Sequence, residues 1–152
     1  MAVGRRTVSA KAAGAGAVTP ALPGGVVNGD LVILVASTIA GGTCTITANG
    51  SVTTWNAITG SPIDVAAGEK LYVWYGWYTS GSTGPTVTPG SDHCCAATQA
   101  FSGVNPGAPI NQQNTGTETT SDTSFSFPTG VSTSVNGCMI CCIASNADDS
   151  NT

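Results

Sequence analysis

Gly25-Val26-Val27-Asn28-Gly29-Asp30-Leu31-Val32-Ile33-Leu34-Val35-Ala36 decides how the rest of this 152-residue chain is read. A Gly-Asn-Gly-Asp turn signal leads into six apolar residues rich in β-branched side chains. The run is too short to span a membrane and has the length of a strand covered on both faces. It predicts the central strand of an all-β domain, an antiparallel β-sandwich of jelly-roll type whose terminal strands are missing or borrowed. Residues 1–24 form an N-terminal arm and edge strand, and residues 25–152 form the sandwich, one domain overall.

Composition supports a packed chain. Charged residues are 8% of the sequence, against about 25% in an ordinary soluble domain, while 41% of residues are apolar and 20 are glycine. A disordered chain would combine low hydrophobicity with high charge. Low surface charge also gives little protection against self-association, which suits a component of an assembly. With a net charge of -4 and four basic residues there is no footprint for neutralising phosphates, so nucleic acid is not an expected partner. Neither is a membrane: no transmembrane run occurs, and the stretch after Arg5-Arg6 lacks the apolar core of a signal peptide. Arg5, Arg6 and Lys11 lie ahead of the core, either as a solvated tail or as an arm that docks on an acidic neighbour.

Further strands are expected at residues 43–47, where Cys44 and Ile46 share a face, at 52–58 around Trp55, and at 71–78. Others fall at 85–88, 94–101 and 138–144. Alternation in Leu71-Tyr72-Val73-Trp74-Tyr75-Gly76-Trp77-Tyr78 places Tyr72, Trp74 and Tyr78 on one face and Leu71, Val73, Tyr75 and Trp77 on the other. One face enters the core; the other is an aromatic ladder under a loop or at a contact surface. Trp55, Tyr72, Trp74, Tyr78, Arg5 and Arg6 are the candidate contact residues. Residues 111–124 are polar and read as an exposed excursion or edge strand, anchored afterwards by Phe125 and Phe127.

Nothing marks a catalytic centre. Ser91-Asp92-His93 holds the residue types of a hydrolase triad, but neighbours in an extended chain cannot form the relay. The acids Asp64, Glu69, Asp92 and Asp122 sit where turns explain them. His93, Cys94, Cys95, Cys138, Cys141 and Cys142 make a possible zinc list, yet Cys138 and Cys141 would project to opposite faces of a strand, unlike the tight turns of structural zinc sites. No metal, cofactor or enzymatic activity is expected. For the cysteines three readings stay open: all six reduced and packed, some joined within the chain, or an outward one joined to another protein. Cys44, on its own short strand, is the first candidate for an intermolecular bond. Six cysteines without a secretion signal fit a particle assembled in the cytoplasm and later released.

The order of segments resembles a β-sandwich family found in virion proteins of tailed bacteriophages. The resemblance is carried by Pro23-Gly24-Gly25-Val26-Val27-Asn28-Gly29-Asp30-Leu31-Val32, Trp55, residues 71–78, Ala100-Phe101-Ser102-Gly103-Val104 and Pro109-Ile110. It implies a capsid decoration protein, a minor capsid protein or a tail-fibre module, located in the virion. Its partners would be the major capsid protein, other virion proteins and copies of itself. The cysteines are no part of the family pattern. The family's domain continues past residues 138–144 with further strands, so the sequence is a piece, or an edge stays open, or another subunit supplies strands. The alternative reading is a carbohydrate-binding module of a fibre or secreted protein, with Trp55, Trp74 or Tyr78 stacked on sugar rings.

Overall fold

A computed structural model describes residues 2–38, 42–64, 68–90, 93–117, 126 and 130–145. Every regular element among them is a β-strand: β1 (Gly4–Arg5), β2 (Ala12–Gly14), β3 (Leu31–Thr38), β4 (Cys44–Ala48), β5 (Asn56–Ala57), β6 (Ile63–Asp64), β7 (Lys70–Trp77), β8 (Thr86–Pro89) and β9 (Cys94–Ser102). Seven of them form one antiparallel sheet, with β3 flanked by β9 and β7, β1 and β2 on the outer edge of β9, and β5 and β6 on the outer edge of β7. The other two, β4 and β8, pair as a separate ribbon. The protein is thus an all-β antiparallel fold with two unequal layers. A division of seven to two gives no support to the jelly-roll part of the expectation, since that fold packs two four-stranded sheets.

The turn before β3 is held by Asp30. Its carboxylate accepts the Val27 amide at 2.9 Å, and its backbone joins the end of β7 through Tyr78 N–H donating to the Asp30 carbonyl. Gly29 sits at φ +87°, in the left-handed region that glycine enters without strain. From there β3 pairs over eight positions with β7 and over eight with β9. Its side chains part into two faces. Val32, Leu34, Ala36 and Thr38 are buried, whereas Ile33, Val35 and Ser37 are half-buried. The strand is therefore not covered equally on both faces: the helix-free second layer lies on one side only.

Two clusters fill the inner side. At one end Leu34, Ala36, Tyr72, Cys94 and Ala96 meet Cys44 and Val87 from the ribbon and Val18 from the arm. At the other, Val32 and Ala100 meet Val52 and Tyr78, with Leu22 and Val26 packed against them. So the arm completes the second layer where the ribbon stops. Burying Val32 or Leu34 fully contributes about 1.5–3 kcal/mol each. Gly76 faces Val32 across the sheet, and a Cβ there would stand 2.5 Å from the Thr54 carbonyl and the Val52 side chain. A bare backbone at that position lets the chain before β5 cross the sheet in contact with it.

The arm is not a free tail: β1 and β2 pair with β9, and one of the arm's three basic residues is bound within the chain. The Arg6 guanidinium makes a forked pair with Asp30, at 2.8 Å from Nε and 3.2 Å from Nη2. Its amide donates to Ala100. Between β1 and β2 the Ser9 hydroxyl takes over the ladder, accepting from the Thr98 amide and donating to the Thr98 carbonyl. Thr98, buried, donates its own hydroxyl to the Ala21 carbonyl.

One expected strand is absent. Residues 138–145 are described without regular structure, Met139, Ile140, Cys141 and Cys142 being exposed. An apolar run becomes a strand only where an edge offers unpaired backbone groups. The edges of the long strands are taken, that of β9 by β1 and β2 and that of β7 by β5 and β6, which leaves only the edges of short strands. Residues 111–117 likewise carry no strand, and Asp122, Phe125 and Phe127 lie outside the described residues.

Replacing Leu34 by alanine should lower unfolding stability in urea by about 2–5 kcal/mol, through lost transfer energy and the cavity left behind. Asp30→Ala should lower Tm by about 3–8 °C, because a buried hydrogen-bond hub is lost. The same change should speed tryptic cleavage at Arg5 and Arg6, read by mass spectrometry; unchanged cleavage would show that the arm holds without the pair.

Candidate functional site

The aromatic residues expected at a contact surface are mostly interior. Tyr72 and Tyr78 are 8% and 9% exposed. Trp74 stacks on Tyr72, with ring centroids 5.4 Å apart and an interplanar angle of 14°. The polar tips are spoken for: Tyr78 donates to the Gly81 carbonyl at 2.6 Å, Tyr72 to Gly42 at 3.4 Å, and the Trp55 indole to Asn49 at 3.2 Å. Trp55, half-buried, packs against both core clusters. The ladder of Tyr72, Trp74 and Tyr78 is thus the core face of β7, because that face meets Leu34, Ala36 and the ribbon. The aromatics on the opposite face are Tyr75 and Trp77, both half-buried.

That outer face runs across the three central strands. Gln99, Ile33 and Tyr75 lie abreast, followed by Ala97, Val35 and Val73, and then by Cys95, Ser37 and Leu71. Its last row is bordered by the chain after β9: Ala144 and Ser145 line an open pocket of about 140 Å³ with Val35, Ser37, Leu71, Cys95 and Ala97. Ser145 is fixed there by its hydroxyl, which donates to Glu69 Oε1. Gln113 donates to the Thr59 carbonyl in the turn between β5 and β6, and Asn111 donates to Ser134 within the segment after β9. A second cleft, of about 290 Å³, lies between Trp77, Asn28, Val104 and Pro106.

The acids do not gather. Asp64 is exposed and paired with Lys70 at 3.0 Å, a contact that raises the lysine pKa through the hydrogen bond. Glu69 is buried, and its Oε2 has no hydrogen-bond partner among the described residues. Ser91 and Asp92 lie outside the described residues, as does Asp122, while His93 is exposed. Among the described residues no group of three or more histidine, cysteine or acidic side chains is close enough to hold a metal ion. Nor is any helix long and apolar enough to cross a membrane. Arg5 is exposed at the sheet edge, and Arg6 is committed to Asp30, whose hydrogen bond raises the guanidinium pKa further.

The cysteines fall into three environments, and sequence parity anticipated only one division. Cys94 points inward and Cys95 outward on β9, as alternation requires. Cys44, expected as the residue to watch for an intermolecular bond, is buried with Cys94, their sulfurs 3.6 Å apart. The Cys44 thiol donates to Cys94; that bond, then burial, pushes the Cys44 pKa up. Accepting it favours the thiolate of Cys94 and lowers its pKa, with burial opposing. Cys138 is half-buried, and Cys141 and Cys142 lie on the exposed segment. Desolvation of the sulfur, then the neighbouring Cys142, raises the Cys141 thiol.

No family model matches the chain, and comparison with curated proteins and with solved structures yields no match.

These environments predict an order of alkylation. In the reduced native protein iodoacetamide should modify Cys142 first, then Cys141, with Cys44 and Cys94 modified only after unfolding. A raised pKa means a smaller thiolate fraction below it, so labelling of Cys141 should need a higher pH than free cysteine does. Peptide mass spectrometry over a pH series reads both.

Proposed function

We propose that the protein is a non-enzymatic component of a tailed-bacteriophage particle, a decoration or minor capsid protein held against neighbouring subunits. The single observation that carries this reading is the segment after β9. Met139 and Ile140 are 41% and 64% exposed, Cys141 and Cys142 stand beside them, and the segment is not part of a sheet. Apolar side chains and thiols displayed together favour a partner surface that covers the first and can be joined through the second. The low charge of the chain and the ordered resemblance of its segments to phage virion sandwiches support the same reading. The partners are the major capsid protein, other virion proteins or further copies of the chain, and the location is the virion, reached by assembly in the host cytoplasm.

A sugar-binding module is less well supported. Stacking on a sugar ring needs aromatic faces open in a groove, and Trp74 and Tyr78 face the core while Trp55 is wedged between its two clusters.

Particles purified on a density gradient from a lysate of phage encoding the chain should contain it in many copies. Non-reducing electrophoresis should show a reducible higher-mass band, and Cys141→Ser with Cys142→Ser should remove that band while leaving the fold intact. Absence of the chain from purified particles would sink the proposal. Presence with no reducible band would confine it to non-covalent decoration.

A further inference from the structure

The ribbon of β4 and β8 is the weak layer of this fold. Two paired strands alone are marginal in water, and these two come from distant parts of the chain, with β5, β6 and β7 between them. Among the described residues the ribbon meets the large sheet through the apolar contacts of Ile46, Val87 and Cys44, and it meets the arm through a backbone bridge between Val18 and Val87. Cys44 opens β4 opposite Pro89, and Cys94 opens β9 between Gly14 of β2 and Thr38 of β3. Their side chains meet across the space between the layers, 6% and 2% exposed, with sulfurs already in contact at 3.6 Å. Fifty residues separate them along the chain.

From this juxtaposition we infer that Cys44 and Cys94 form an intrachain disulfide that staples the ribbon to the large sheet. The bond needs the sulfurs to close from 3.6 Å to about 2.05 Å. A cross-link between sequence-distant residues removes much of the freedom of the unfolded chain, and apolar surroundings shield the finished bond from reductants. Cys95 faces the other side of the sheet and cannot substitute for Cys94.

The oxidant is a low-molecular-weight disulfide. The Cys94 thiolate attacks one of its sulfurs, the small S–S bond breaks, and the released thiolate takes up the proton that Cys94 lost. The Cys44 sulfur, deprotonated in turn, attacks Cys94 Sγ in the mixed disulfide and expels the second small thiolate, which takes the second proton. Two protein thiols and one small disulfide become one protein disulfide and two small thiols. Because the closed core has no room for the mixed disulfide, exchange belongs to folding or to opening of the ribbon.

The test uses the full chain with Cys95, Cys138, Cys141 and Cys142 replaced by serine, refolded from denaturant in reduced and oxidised glutathione. Serine at 95 also removes the ambiguity of adjacent cysteines in peptide maps. The expected product has lost two hydrogen atoms by intact mass and yields one peptide pair joining Cys44 to Cys94. It should alkylate at neither cysteine after unfolding, and should melt about 5–15 °C higher than the same protein in reductant. Cys44→Ala in that background should abolish the difference. Should the four-serine chain fail to fold, the wild-type chain refolded the same way is mapped after digestion and partial reduction. Two free thiols at Cys44 and Cys94 after equilibration with excess oxidised glutathione, or either residue joined to a different cysteine, would overturn the inference.

Discussion

The structure depends on β3 being hydrogen-bonded along its whole length on both sides. With β7 on one edge and β9 on the other, its backbone groups are satisfied and its side chains are forced to alternate between two faces. The face carrying Val32, Leu34 and Ala36 must then be shielded from water. A ribbon of two short strands cannot cover a sheet of this width, so Val18 and Leu22 of the arm, with Val26 just after it, fill the remainder. The unequal layers are a direct consequence of where the apolar cover runs out.

The same demand explains why Asp30 is buried with its charge. A carboxylate at the head of the central strand would be costly alone, but it is met by the Arg6 guanidinium and the Val27 amide. One side chain therefore closes the turn before β3 and holds the start of the arm against β9. Among the described residues Lys70 also pairs with Asp64, and in a chain this poor in charge much of the remaining surface is hydroxyl, amide and apolar groups. Such a surface is readily covered by a neighbour.

Much of the fold was legible because local pattern and final environment agree. β3, β4, β7, β8 and β9 each follow from an apolar or β-branched run bounded by glycine, proline or asparagine. Residues 138–144 have the same local pattern and are not a strand, while the edges beside β9 and β7 are taken by segments with weaker patterns, the arm and β5 with β6. Strand-forming tendency belongs to a segment, whereas a vacant edge belongs to the whole sheet. The glycine-interrupted arm could be read as extended, yet nothing local tells that Ser9 would stand in for a backbone pair with Thr98.

The amino-acid order by itself determined that the chain is all-β, where its principal strands start, and that the aromatic strand has two unlike faces. Tertiary structure decided which of those faces is interior, because that depended on Gly76 admitting the chain before β5 and on the ribbon covering Tyr72. It also decided the fate of the thiols. Parity along a strand assigns Cys94 and Cys95 to opposite sides, but that Cys44 would arrive 3.6 Å from Cys94 required two layers to pack. Alternation is a property of one strand's covalent geometry; proximity between strands fifty residues apart arises only when both bury their apolar sides against each other.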